Sequence, residues 1–439
     1  MSTTERRVVI TGMSVISPLG NSKEKLWESL MAGRSGVGPL TVVPAGAFPT
    51  SVAAAAREFR GEIDDFGPLE KDIKKAIRKG LKVMCRECQM AVAAAQGALH
   101  DAGLTPGKYD PSRAGIDFGS DYMLTLPEDF TEGILQCLGN GGQFDFSRWA
   151  SEGMPKMSPL WLLKYLPNMP ASHIAIYNDL RGPNNSLTLR EASSNAAVAE
   201  AVQTISRGRA DIMLAGATGT RLHPMKMVHV LKQEEVAPGN GDPAKASRPF
   251  DRHRTGMVLG EGSGAVVLEE LDSAQTRGAT IYAEVLGGAS RSAADRNLLA
   301  RRDQAMRNAL VAALQNSGVT VDEIGFLNAH GLSTRTGDIE EARAIGHVFG
   351  DRSKPLPVTA AKSYFGNLGA GSGLVELVAG VMALRHRRVF PILNYEDPDP
   401  ECPIMGVSNG GTDPGTSFVN LSVTPQGQAS ALVVRSFEG

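Results

Sequence analysis

The residues best equipped for chemistry lie in the last third of the chain. His330 closes the run Ile324-Gly325-Phe326-Leu327-Asn328-Ala329 and is followed by Gly331. An apolar run that ends on an imidazole and a glycine reads as a strand delivering His330 to its C-terminal end, where open α/β sheets gather their working groups. Asp338 and Glu341 follow at the start of a helical pattern, and Lys362-Ser363 ends the next short apolar run. An imidazole, two carboxylates and an ammonium at neighbouring strand ends can form an acid–base site, or a buried ion cluster that only holds the fold. The residues alone leave both open.

Other motifs narrow the chemistry. Gly366-Asn367-Leu368-Gly369-Ala370-Gly371-Ser372-Gly373 opens an apolar helix, so its backbone N–H groups could face a negative group. It lacks G-x-G-x-x-G spacing, and Ala361-Lys362-Ser363 lacks the glycines of a phosphate loop, so no nucleotide is implied. Cys85-Arg86-Glu87-Cys88 is a single pair with no second pair at metal spacing, and it reads as two packing cysteines. No metal site and no cofactor are expected. Lys71, Lys74, Lys75, Arg78, Lys79, Lys82 and Arg86 crowd one helical stretch against Glu70, Asp72 and Glu87. That stretch is either a solvated helix face or a dock for a small acidic protein.

These groups need a frame. β-rich runs recur at 7–15, 115–119, 212–217, 265–269, 280–286, 324–329, 357–360, 418–423 and 430–437. Helical patterns lie between many of them, at 23–32, 90–102, 192–206, 304–317, 339–349 and 374–387. Strands alternating with helices predict an α/β fold, and the Ala/Val-dominated stretch 192–201 predicts a helix buried on most sides. Among 439 residues the weakest seam is the Gly/Pro/Asp/Lys-rich stretch 238–254. We place a boundary near 255, giving halves 1–255 and 256–439, each with strand, long helix, strand and helix. The stretch 121–158 has no clean period and is expected to form lids or partner contacts. Lys+Arg is 45 against Asp+Glu 47, which excludes a global basic field for nucleic acid or an anionic membrane. No apolar stretch is long enough to span a bilayer, and residues 1–7 do not read as a secretory leader. Four cysteines make no disulfide framework, so a cytoplasmic protein is expected.

Taken together, the motifs resemble the β-ketoacyl-acyl-carrier-protein synthases, the elongating condensing enzymes of the thiolase superfamily. The likeness covers nearly the whole chain. It is carried by Arg7-Val8-Val9-Ile10-Thr11-Gly12-Met13 with Ser17-Pro18-Leu19-Gly20, and by Arg248-Pro249-Phe250-Asp251 with Gly260-Glu261-Gly262. Ala329-His330-Gly331 with Ser333-Thr334 and Gly337-Asp338, Lys362-Ser363 with Gly366, and Asn394 with Asp397-Pro398 complete it. The resemblance implies a five-layer αβαβα thiolase-like fold of two related halves and a dimer. It implies acyl carrier protein as partner, with Lys74, Lys75, Arg78 and Lys79 docking the carrier and Ser333 and Thr334 meeting its phosphopantetheine arm. Asp338, Glu341 and Lys362 match the family's supporting ion cluster.

The departures decide the expected function. The family uses a Cys-His-His triad whose cysteine begins the buried central helix. Register along Ser186-Leu187-Thr188-Leu189-Arg190-Glu191-Ala192 puts Glu191 at the cysteine position and Asn367 at the second histidine, while His330 keeps the first. The stretch 422–428 replaces the family's Gly-rich Phe loop, and Leu332 stands where a threonine would touch the arm. A carboxylate attacking a thioester would give a labile mixed anhydride, so Glu191 is expected to carry no acyl group. It should be ionised and bonded to His330 or Lys362, with Arg190 as a further cation. Three functions follow. One is a non-condensing, chain-length-factor-like subunit in fatty acid or polyketide assembly, within a homodimer or beside a cysteine-bearing synthase. The second is a malonyl-thioester decarboxylase using His330 and Asn367. The third is a redirected acyltransferase with Glu191 as general base.

Overall fold

In each half the chain builds five strands that settle in the same spatial order. The computed structural model describes residues 6–437, so most of the stretch read for a leader, residues 1–5, lies outside the described residues. The first half contributes β1 (Val8–Ile16), β2 (Ala114–Ser120), β3 (Asn184–Thr188), β4 (Ile212–Thr220) and β5 (Glu261–Glu270). The second contributes β6 (Ala283–Ser292), β7 (Phe326–Asn328), β8 (Pro357–Thr359), the two-residue β9 (Met405–Gly406), β10 (Ser417–Val423) and β11 (Gln428–Ser436). The sheet runs β9-β8-β7-β10-β11-β6-β1-β5-β4-β2-β3. Leaving β9 aside, each half reads first, fifth, fourth, second, third. Each has two antiparallel pairings followed by two parallel ones. The halves join where β1 meets β6 through Val9↔Glu284 and Ile10↔Ala283. This repeat corrects the boundary at 255. Strand β5 belongs to the first half's sheet, so the seam falls in the connection between β5 and β6. The stretch 238–254 is a loop that delivers Phe250 and Arg254 to the second half.

The α-helices of eight residues or more are α1 (Lys23–Met31), α2 (Lys71–Gly80), α3 (Arg86–Asp101), α4 (Met169–Asn178), α5 (Ser193–Ser206), α6 (Pro224–Leu231), α7 (Arg302–Ser317), α8 (Arg335–Phe349) and α9 (Ser372–His386). Helices α5 and α9 pack on each other between the two halves' strands. Helix α3 covers β1 and β5 from outside, with α4 against it; α7 covers β6 and β11, with α8 against it. That is an αβαβα stack of five layers. The middle layer explains its own composition. Every residue of α9 from Ser372 to Leu384 is buried, and α5 is filled with Ala and Val because strands of both halves flank it.

Two glycines let the layers close on the site. A Cβ on Gly264 of β5 would stand 2.7 Å from Leu374 Cβ, so α9 can lie on the strand only over glycine. Gly331 takes φ +46° just after His330, and a Cβ there would meet Ala360 Cβ at 2.6 Å. At one end of the sheet β3 has a single neighbour, β2. The stretch 121–163, which follows β2, is broken into short helical turns that leave Leu135 (58 %), Phe146 (76 %) and Leu160 (55 %) exposed. An open strand edge and an exposed apolar surface each suit a partner contact. Replacing Gly264 by alanine should cost about 1–3 kcal/mol in a denaturant titration, as expected for overpacking. An unchanged midpoint would contradict the close packing of β5 on α9.

Candidate active site

Glu191 sits on the single 3-10 turn (Arg190–Ala192) that joins β3 to α5. The turn is tight. Arg190 takes φ 54°, which a non-glycine residue adopts only under constraint. Ser193 pins the start of α5 by accepting from Leu189 N (2.8 Å) and donating to Ser120 O (3.0 Å). Ser194 Oγ donates to Ala370 O (2.5 Å) and accepts from Leu374 N (3.1 Å), which staples α5 to α9. Both hydroxyls are consumed, and Glu191 alone points its functional group into the site.

Its partner is Arg221, not His330 or Lys362 as the sequence suggested. Arg221 leaves the C-terminal end of β4 and is wholly buried. Its Nη2 donates to Glu191 Oε1 at 2.5 Å, and its Nη1 pairs with Asp121, just past β2. Asn367 Nδ2 donates to the same Glu191 oxygen at 3.1 Å, and Arg190 Nε stands 3.5 Å from the other. The expected Arg190 pairing is therefore present. Burial works to raise the Glu191 carboxyl, but the guanidinium of Arg221, then that of Arg190, hold it well below its ordinary 4.5. Glu191 is ionised, and Arg221 is held above the usual arginine range by Asp121 and Glu191.

Lys362 is committed elsewhere. Its Nζ pairs with Glu376, fully buried in α9, and lies 3.3 Å from His330 Nδ1. Burial, then the Lys362 ammonium, press the His330 ring well below 6.5, so it is neutral. An Nδ1 that accepts from Lys362 leaves the ring proton on Nε2. The loop carrying His330 hangs on the two carboxylates of α8. Glu341 accepts from His330 N (2.6 Å) and Gly331 N (2.8 Å). Asp338 accepts from Phe250 N (2.8 Å) and Thr334 N (3.3 Å). Burial pushes Glu341 up to about 8 and Asp338 up to about 6, against the pull of those N–H groups.

Asn367 has no free donor. Besides Glu191, its amide faces Met257 Sδ at 3.5 Å, while its oxygen accepts from Gly369 N at 2.9 Å. Ser333 is buried and its hydroxyl accepts from Arg248 N at 3.0 Å. Thr334 keeps a buried hydroxyl with no partner and lines an outer pocket of about 500 Å³. Beside His330 the remaining void is about 10 Å³, walled by Leu332, Val423 and Thr424 among others. Residues 424–427 fold as a tight turn, with Gly427 N donating to Thr424 O at 3.0 Å. On α2, Lys75, Arg78 and Lys79 are exposed and Lys74 pairs with Asp64 at 2.7 Å. A separate cleft of about 630 Å³ lies between α3, the exposed stretch near Leu126 and the Arg221 loop, with Cys85 and Lys82 in its lining. Cys85 and Cys88 have sulfurs 3.6 Å apart within an apolar core cluster. Cys402 lies near Asp338 and Glu341, and burial pushes its thiol up to about 12. Among the described residues no group of three or more metal-ligating side chains is placed to hold an ion.

Arg221, Asp121 and Glu376 are the residues that sequence reasoning missed. Glu376 carried a signal, as one acid inside an otherwise apolar helix must find a buried partner. Arg221 carried a weaker one, a cation at a strand end after a Gly-rich run.

This frame matches known proteins. The models for the β-ketoacyl synthase N-terminal and C-terminal domains fit residues 5–274 and 282–396, and the chain belongs to that family. It is 35% identical over 401 residues to 3-oxoacyl-[acyl-carrier-protein] synthase 2 of Synechocystis sp. (strain ATCC 27184 / PCC 6803 / Kazusa), covering 91% of this chain and 90% of that one. It is 34% identical over 408 residues to the tetracenomycin polyketide synthase ketoacyl synthase alpha subunit of Streptomyces glaucescens, covering 92% and 91%. The solved ishigamide ketosynthase/chain length factor superposes with a TM-score of 0.81 at 29% identity, over 99% of this chain and 100% of that one. The fold is therefore the thiolase-like fold of ketosynthases. Among the described residues no helix is long and apolar enough to cross a membrane.

The buried triad makes a direct prediction. Arg221→Met removes the buried cation that two carboxylates share and should cost about 3–5 kcal/mol in a denaturant titration. Adding Glu191→Gln should recover part of that loss. A cost within error of zero for Arg221→Met would remove the guanidinium from the centre of the site.

Proposed function

We propose that this chain is a non-condensing member of the β-ketoacyl synthase family, acting in fatty acid or polyketide assembly as a chain-length-factor-like subunit beside a cysteine-bearing synthase. The observation that carries this reading is the Glu191–Arg221 ion pair at the head of α5, where the family resemblance puts the acyl-accepting thiol. A carboxylate is a weak nucleophile toward a thioester, and pairing with a guanidinium weakens it further. The space argues the same way. A void of about 10 Å³ beside His330 holds one water at most and no acyl chain.

What remains suits a partner. The cleft of about 630 Å³ borders the exposed apolar stretch and is large enough for a substantial organic chain. The open edge of β3 and the exposed apolar surface support a dimer, with this chain facing either its copy or an active synthase. The exposed cations of α2 support docking of an acidic acyl carrier protein, and the unpaired Thr334 hydroxyl supports contact with the phosphopantetheine arm. Ser333, whose hydroxyl accepts from Arg248 N, keeps its O–H donor for the same arm.

One observation favours decarboxylation of a malonyl thioester as a second reading. The neutral His330 ring keeps a proton on Nε2 and could stabilise an enolate. Asn367 would have to release Glu191 to supply the second donor. The third reading, acyl transfer with Glu191 as general base, is weakened by the same pairing, because a carboxylate held so strongly ionised is a poor proton acceptor.

Incubation with malonyl-carrier thioester, followed by mass analysis of the carrier, separates the first two readings. Unchanged malonyl carrier is expected, and acetyl carrier formed by the pure chain would favour decarboxylation. In a second test, Glu191→Cys is expected to remain unacylated by acyl-carrier thioester, because Arg221, Asp121 and the 424–427 turn still fill the site. Acyl loading of that variant would mean that the nucleophile alone was lost.

A further inference from the structure

The outer pocket and the void beside His330 are separated by a wall of only a few residues. The outer pocket, about 500 Å³, is lined by the 231–236 segment, Arg302 and Thr334, and the inner void of about 10 Å³ by His330 and Glu341. Glu234, Arg302 and Gly337 line both. Gly337 contributes backbone, so the wall's side chains are one ion pair, Arg302 Nη1 to Glu234 Oε1 at 2.9 Å. We propose that this pair is a gate, and that separating it is what opens His330 to any molecule seated in the outer pocket.

The mechanical arrangement fits a latch more than a fixed wall. Arg302 is the first residue of α7, and its Nε is held by Glu340 of α8 at 2.5 Å. It can release Glu234 and remain charge-paired. Glu234 belongs to the short loop after α6, not to a strand or helix. The neighbouring Gln233 is tied by Arg190 Nη1 at 2.6 Å, and Arg190 also reaches Gln426 at 3.2 Å. The loop bearing Glu234 is thus connected through Arg190 to the backbone turn of Glu191 and to the 424–427 turn. Side-chain exposures of 17 % and 7 % show the pair shielded from water, which sharpens its preference for the closed state. Nothing else lining both spaces is large enough to block passage. The inference concerns access alone and holds whichever reaction, if any, the site performs, so its failure would leave the proposed function standing.

Diethyl pyrocarbonate provides the test. It transfers an ethoxycarbonyl group to the unprotonated nitrogen of a neutral imidazole and releases ethanol and carbon dioxide; at His330 that nitrogen is Nδ1, which must leave its Lys362 hydrogen bond in the native chain and the variants alike, so the change in ratio between them reads access. Modification of His330 is followed by peptide mass spectrometry, with the exposed His253 as internal reference. In the native chain His330 should react far more slowly than His253. In Arg302→Ala and in Glu234→Gln the ratio should rise about tenfold, equivalent to removing on the order of 1.4 kcal/mol of closed-state preference. Glu234→Gln preserves volume and carries the test if Arg302→Ala does not fold. An unchanged ratio in the folded variants would overturn the gate, and so would native His330 reacting as fast as His253.

Discussion

One guanidinium without access to water holds two carboxylates together at the head of the central helix. Arg221 reaches from the end of β4 to Glu191 on one side and Asp121 on the other, and so ties three strand ends of the first half into one buried cluster. A cluster of two negative charges and one positive charge is tolerable there because Asn367 and Arg190 add a donor and a second cation. The cost of burying these charges is recovered only if every partner stays in place. The site is therefore rigid where a condensing enzyme would need an exposed nucleophile and room for its acyl group.

The doubled topology explains why such a cluster can exist. Each half puts its second, third and fourth strands in parallel register with their C-terminal ends toward the middle helices. The first half delivers Asp121, Glu191 and Arg221; the second delivers His330 and Lys362. The two sets form separate ion pairs. Glu191 takes Arg221, Lys362 takes Glu376, and among the described residues Asn367 is the one side chain of the second half that bonds Glu191. His330, lying between a cation and an anion in a dry site, stays neutral.

Legibility in the sequence followed locality. The strands at 212–217, 357–360 and 418–423 and the buried helix at 192–206 could be read from composition and period, because sheet and helix burial impose those patterns directly. Family motifs then supplied the register that put Glu191 at the head of α5. Strand β3 was missed because Asn184-Asn185-Ser186-Leu187-Thr188 is an edge strand, mostly polar, with no apolar alternation to mark it. The seam at 255 was misplaced because turn-rich composition marks a loop, and a loop need not divide two repeats. Arg221, Asp121 and Glu376 were missed for a third reason. A buried ion pair is a contact between distant segments, and neither partner announces the other along the chain. The expected Glu191 contact with His330 or Lys362 failed on that point, whereas the ionised state of Glu191 followed from burial at a helix start with cations nearby.

Intact-mass analysis of the native chain after exposure to long-chain acyl-carrier thioesters tests the central claim most directly. With Glu191 paired to Arg221 and the void at His330 filled, the protein mass should not change. A stable acyl adduct mapped to this chain would contradict the account, whichever residue carried it.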